Sequence, residues 1–386
     1  MPPVRVYLSP GMFGFARVAS FDYFEHVVGA IERRFAARGE VAVVRVVDVH
    51  PTASIRRRAA KLAAMIGDTA GDDGGPVHVV GHSTGGLDAR LVASPSVRLM
   101  GESTTHLPWI ERLRSVTTIN TPHYGTPLAA FFATVSGQRL LYAVSALTVT
   151  ALKLGAPPLA TTSALLALVG RVRRAPKAPG APTRADAIEL ELIDRTVDGV
   201  VRLLDEASSR ELRVWLKLVR DDQGAVVQLM PEAMDLFQAG VEDRPGVRYQ
   251  CVATYAPGNA VADWLGALRS PWSAVSAAIF TFLQSITAHH DERYPCAPSD
   301  GSAARLVRHA LGEEPPLQAS DGVVPLYSQI WGELLWVGKA DHLDIVGHFP
   351  GTGGHTDWLA SGSHFSRPKF EVVMDRIVDG MARSTR

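Results

Sequence analysis

Ser83 stands in Gly81-His82-Ser83-Thr84-Gly85, a G-x-S-x-G pentapeptide that follows the apolar run 77–80 and precedes a segment with helical character. A serine hydroxyl presented at a sharp strand-to-helix turn suits nucleophilic acyl transfer, because small neighbours remove the clashes that the turn would otherwise create. Gly81, Gly85 and Gly86 meet that requirement. The same letters also describe an ordinary strand-to-helix turn with a capping hydroxyl. The strand context favours chemistry: residues 77–80 are continuously apolar, as in a central parallel strand covered by helices on both faces.

Serine is a weak nucleophile at neutral pH and needs a histidine to take its proton and a carboxylate to hold that histidine in the useful tautomer. The late segments Ser320-Asp321-Gly322-Val323-Val324-Pro325 and Ala340-Asp341-His342-Leu343-Asp344 supply both, separated by the β-like run 334–337. Asp321 is the candidate acid and His342 the candidate base. His348, His355 and His364 are rivals, and a single histidine is more often structural. Developing negative charge needs two main-chain donors, one after the nucleophile and one from an early loop. The segment Ser9-Pro10-Gly11-Met12-Phe13-Gly14-Phe15 offers such a loop, so the candidates are the N–H groups of Thr84 and Met12. A flexible glycine turn is the plain alternative.

The elements that must position these groups alternate. Residues 5–9 read as a strand, 21–38 as a helix stopped by Gly39, and 41–47 as a second strand. Residues 54–66 form an amphipathic helix with its Arg and Lys away from Ile55, Ala59 and Leu62. Strands 77–80 and 116–119 follow, and 369–381 is a final amphipathic helix. This pattern predicts an α/β fold with a mostly parallel sheet whose strand ends build the site. At 386 residues the chain suits one large domain, 1–386, carrying an insertion.

That insertion is expected at 128–243. The runs 140–152 and 154–169 are almost uncharged but broken by Lys153, Pro157 and Pro158, and they read as helices of a lid or as a buried hairpin. Arg171, Arg173, Arg174, Lys177 and Arg184 read as a solvated linker, with attraction to an anionic lipid surface as the alternative. The apolar stripe at 264–283 fits the wall of an acyl pocket or plain core. Basic and acidic residues number 39 each, so no global field draws nucleic acid. Cys251 and Cys296 could pair, or Cys251 could be a buried thiol. No basic and apolar leader is visible, which points to the cytoplasm or to a secreted mature form already trimmed.

The motifs PGMFGF, GHSTGG, INTPHYGTP, SDGVVP and DHLD, in that order, make the chain resemble bacterial triacylglycerol lipases of the α/β-hydrolase superfamily over roughly 4–127 and 247–350. The resemblance implies an α/β-hydrolase fold, a Ser83-His342-Asp321 triad, and an oxyanion hole at Met12 and Thr84. It implies a lipase or esterase acting on lipid-like esters, with no cofactor required and transient contact with a lipid interface. Asp344, matching the H-L-D aspartate, would be a calcium ligand in those lipases that bind the ion, with Asp300 nearly where its partner belongs. Turn capping is the alternative for both. The chain departs from the family at Pro10, where histidine is common, and a contact made by that histidine is therefore missing. Thioesterase, polyester depolymerase and acyltransferase activities share the triad, and a non-catalytic lipid-binding protein on the same fold is the alternative from another class.

Overall fold

The computed structural model describes residues 2–12, 17–18, 21–99, 102–103, 107–134, 137–138, 199, 202, 205–258, 271–289, 291–351 and 357–385. Six segments rich in β-branched and apolar residues form its sheet: β1 (Val4–Ser9), β2 (Ala42–Val46), β3 (Val77–His82), β4 (Leu113–Ile119), β5 (Arg248–Tyr255) and β6 (Glu333–Lys339). They lie in the order β6-β5-β4-β3-β1-β2, and every pairing is parallel. β1 and β3 are buried at every position, the polar Arg5, Ser9, His78 and His82 included, as expected of central strands covered on both faces.

Period-two geometry sends neighbouring side chains to opposite faces, and each face has its own core. Val6, Leu8 and Val80 join one cluster with α1 (Glu25–Ala37) and α10 (Arg367–Thr385). Tyr7, Val77, Val79 and Val116 join the other, with α2 (Ile55–Thr69) and α3 (Thr84–Ala93). Ser54 caps α2, its hydroxyl accepting from the Arg57 N–H. The expected parallel sheet with helices on both faces is therefore present, with element ends displaced by a few residues.

Several expectations change. Arg56, Arg57 and Lys61 face solvent, but Arg58 on the same helix is only 1% exposed, because it carries contacts that the helical spacing does not encode. β5, a strand not anticipated from the sequence, lies inside the sheet between β4 and β6. Cys251 and Cys296 are both free and buried, so the unpaired alternative holds.

Within 128–243, α4 (Pro127–Phe132), α5 (Glu206–Asp221), α6 (Gly224–Gln228) and α7 (Pro231–Gly240) are described. Leu212, Trp215, Leu216, Val226 and Met234 from them enter the α2/α3 core. The runs at 140–169 and the basic stretch from Arg171 to Arg184 lie outside the described residues, as do Trp264, Leu265 and Leu268. From the apolar stripe, Ile279, Phe280, Phe282 and Leu283 lie on α8 (Pro271–Thr287) and pack into the core. Among the described residues no helix is long and apolar enough to cross a membrane.

Candidate active site

β3 runs directly into α3, and Ser83 occupies the junction with φ 55° and ψ −127°. Such a conformation is strained for a residue with a Cβ and persists only where the surroundings enforce it. The Ser83 N–H donates to the Ile119 carbonyl at 2.8 Å, and its own carbonyl accepts from Gly86 N–H at 3.0 Å. Glycine is required around it for closeness: a Cβ on Gly81 would lie 2.1 Å from the Gly85 carbonyl oxygen. One on Gly85 would lie 2.0 Å from the Ser9 carbonyl oxygen. α3 thus packs tightly against both its own strand and the loop after β1.

That loop reaches the nucleophile. A Cβ on Gly11 would be 2.9 Å from the Ser83 Cβ and 3.4 Å from its Oγ, so the main chain leading into Met12 lies against the serine. Thr84 opens α3, and its N–H is one of the first-turn donors that no carbonyl within the helix can satisfy. The two candidate oxyanion donors therefore belong to backbone segments on either side of Ser83. Residues 13–16, including Phe13, Gly14 and Phe15, lie outside the described residues.

Asp321 and His342 meet. Nδ1 of His342 is 2.7 Å from Oδ2 of Asp321, and the His342 N–H donates to the Asp321 carbonyl at 3.0 Å. The other carboxylate oxygen of Asp321 accepts from Val323 N–H at 2.8 Å and Val324 N–H at 2.7 Å, so the buried acid is held on both oxygens. An acceptor at Nδ1 leaves Nε2 as the basic nitrogen. The His342 ring stacks at a tilt against His82, the residue before Ser83, with centroids 4.7 Å apart. Among its rivals, His348 places Nε2 3.2 Å from the Tyr23 carbonyl, His364 is exposed, and His355 lies outside the described residues.

Sequence reasoning missed four buried residues here. His82 places Nδ1 2.6 Å from the Tyr23 hydroxyl and Nε2 2.8 Å from the His342 carbonyl oxygen. Burial, with the nearby His342 adding to it, holds the His82 imidazole neutral far below its ordinary range. Arg58 and Asp88 form an ion pair at 2.8 Å whose side chains are fully shielded from solvent. Tyr23, Arg58 and Asp88 carry no motif; only the x of G-x-S-x-G hinted at His82.

The expected cation ligands are rearranged. Asp300 is not among the carboxylates grouped with Asp344: its Oδ1 accepts from Ser302 N–H at 2.9 Å in the turn that leads into α9 (Ser302–Leu311), which is the turn-capping alternative. Among the described residues the carboxylates gathered around Asp344 are Asp341 and Asp357, with ligand oxygens all within 4.8 Å of one another. Burial, reinforced by the neighbouring carboxylates, pushes Asp341 well above the usual carboxylate range, and burial beside Asp344 pushes Asp357 up to about 8. Three carboxylates crowded away from water suit a hard cation that binds oxygen. Ser361 and Ser363 donate to Asp341 and Asp344 at 2.7 and 2.6 Å.

No protein-family profile matches the chain, and no curated protein does. Solved structures similar to it include lipase 1 from Pelosinus fermentans, at 14% identity over 98% of this chain and 99% of that one, with a TM-score of 0.49. EstA from Clostridium botulinum is similar at 17% identity over 94% and 87%, with a TM-score of 0.47. The Staphylococcus hyicus lipase is similar at 15% identity over 99% and 97%, also with a TM-score of 0.47. The chain has an α/β-hydrolase fold, defined by its own parallel strand order and by the strand-to-helix elbow at the end of β3.

Proposed function

We propose that this chain is a serine-dependent carboxylic ester hydrolase acting on lipid-like esters. The observation that carries the proposal is the 2.7 Å contact of His342 with Asp321, made while the same imidazole packs against His82 at the elbow. In this reaction Ser83 Oγ attacks the ester carbonyl carbon as His342 Nε2 takes its proton. The carbonyl π pair moves to the oxygen, where the N–H groups of Met12 and Thr84 receive the negative charge. Collapse breaks the bond to the alkoxy oxygen, which leaves with the proton from His342. Water then attacks the acyl-enzyme by the same route, releasing the acid and restoring Ser83. Asp321 keeps the imidazole oriented and stabilises its charged form.

No organic cofactor enters these steps. Where a hard divalent cation such as calcium binds, Asp341, Asp344 and Asp357 hold it, and its contribution is to fasten the loop that carries His342. The substrate class rests on the sequence resemblance, and a chain-length series decides it. Wild type and Ser83→Ala are assayed on p-nitrophenyl esters from acetate to palmitate, on emulsified triglycerides and on a thioester, with fluorophosphonate labelling alongside. The expected result is labelling at Ser83, turnover that Ser83→Ala abolishes, and preference for longer acyl chains. A wild type that neither labels nor hydrolyses any ester would overturn the proposal.

A further inference from the structure

The Pro10–Gly11 peptide is gripped along both edges. Its carbonyl oxygen accepts a short hydrogen bond from Nη2 of Arg58. On its other side the Gly11 N–H faces the Tyr23 hydroxyl, whose oxygen lies 3.4 Å from where a Cβ on Gly11 would stand. In a trans peptide these two groups point in opposite directions, so partners on both edges fix the rotation of the plane. The next peptide, Gly11–Met12, carries the candidate oxyanion N–H.

Each grip is itself braced. Arg58 has five N–H donors in a rigid fork. Its Nε faces the Asp88 carboxylate at 3.0 and 3.2 Å, Nη1 faces the carbonyls of His50 and Pro51 at 3.1 and 3.3 Å, and Nη2 serves Pro10 and Asp88. The fork therefore has no slack. Asp88 also accepts from the Ser9 hydroxyl at 2.8 Å, holding the residue before Pro10. On the other edge, Nε2 of His82 faces the His342 carbonyl, which can only accept, so Nε2 carries the ring proton. Nδ1 is then a lone pair, and Tyr23 must donate its O–H there. With its proton committed, the Tyr23 oxygen presents a lone pair to Gly11.

We propose that Arg58 and Tyr23 are positioning residues that hold the Pro10–Gly11 peptide in one orientation and thereby aim the Met12 N–H at the oxyanion. The proposal rests on the ester-hydrolase reading of the site. Burying an ion pair without slack is a poor way to gain stability, since apolar residues of equal volume do as well or better. Here the donors that Asp88 does not use all end on main-chain oxygens, one of them in the oxyanion loop. Pro10 itself lacks an N–H and stands where related lipases often have histidine, and the guanidinium provides the anchorage from beneath.

The test uses Tyr23→Phe and Arg58→Lys in the full chain, assayed on p-nitrophenyl butyrate. Phenylalanine keeps the ring and deletes only the hydroxyl. Lysine keeps the charge opposite Asp88 but cannot reach the Pro10 carbonyl at the same time. Because a misaimed donor weakens the transition state and not the bound ester, each folded variant is expected to lose about tenfold or more in kcat with KM within about twofold. Inhibition by a boronic acid, whose tetrahedral adduct occupies the oxyanion site, should weaken in parallel. A folded Tyr23→Phe that matches wild type in kcat, or changes only KM, overturns the clamp even if Arg58→Lys fails to fold. If wild type itself hydrolyses no ester, the underlying reading fails and the clamp with it.

Discussion

His342 and Asp321 are joined twice, by the imidazole-to-carboxylate contact at 2.7 Å and by a main-chain hydrogen bond at 3.0 Å from the N–H of one to the carbonyl of the other. The backbone bond fixes the distance between the segment leading from α9 to β6 and the loop after β6. The side-chain bond then fixes the tautomer. Since Val323 and Val324 occupy the second carboxylate oxygen, the acid has little freedom to turn away.

Replacing Asp321 by asparagine preserves volume but offers an N–H where an acceptor is needed, which favours the wrong imidazole tautomer. The expected loss is up to about 10⁴ in kcat, as in the serine protease template. Measured kcat within tenfold of wild type, with an intact circular dichroism spectrum, would refute the assignment.

The elbow should be intolerant of a single methyl group. A Cβ at Gly81 would meet the Gly85 carbonyl oxygen at 2.1 Å, and one at Gly86 would meet the Thr121 Oγ1 at 2.0 Å. Gly81→Ala opposes rigid backbone, so it should cost about 3 kcal/mol or more. Urea denaturation at an unchanged slope measures this; a shift below 1 kcal/mol would mean that the elbow relaxes freely.

Acid should destabilise the fold through buried imidazoles. His78 on β3 is inaccessible, hydrogen-bonded at Nδ1 to Ser115 Oγ at 2.8 Å, and burial pushes it down to about 3 from an ordinary value of 6.5. A depressed folded value means that the unfolded chain takes up the proton first. The contribution of His78 is therefore whole above pH 6.5 and is lost as pH falls toward 3, at about 2 kcal/mol between pH 6.5 and 5. Denaturant midpoints for wild type and His78→Gln should converge as pH falls through this range. Parallel pH profiles would contradict the expectation.

The carboxylate cluster yields a cation test that leaves the reaction aside. If Asp341, Asp344 and Asp357 hold calcium, stability should rise by about 1.4 kcal/mol for each tenfold increase in free calcium above saturation. A chelator should reverse the gain, and Asp357→Asn should flatten the response, whereas Asp300→Asn should not. A melting temperature indifferent to calcium and chelator would remove the ion from consideration.

Much of the fold was legible because its signals are local. Residues 77–80 announce a buried parallel strand, Ser54 announces the start of α2, and the glycines around Ser83 announce a turn that only small residues survive. β5 was less legible, since the polar Arg248 and Gln250 interrupt its apolar character. The site was legible only in part. Asp321 and His342 stood out through neighbours within a few residues. Nothing near Tyr23 or Arg58 sets either apart from an ordinary surface tyrosine or helix arginine.

Residue order alone determined where the backbone must turn sharply, which segments alternate between strand and helix, and which side chains have acyl-transfer chemistry within reach, because these follow from sterics and periodicity over a few positions. Tertiary structure decided which charges lose water and against whom they come to rest. It sent Asp300 to close the turn before α9 while Asp341 and Asp357 joined Asp344, and it drew Arg58 inward onto Asp88 and Pro10. Desolvation and hydrogen bonding act through space between segments far apart in the chain, so no local pattern of letters records them.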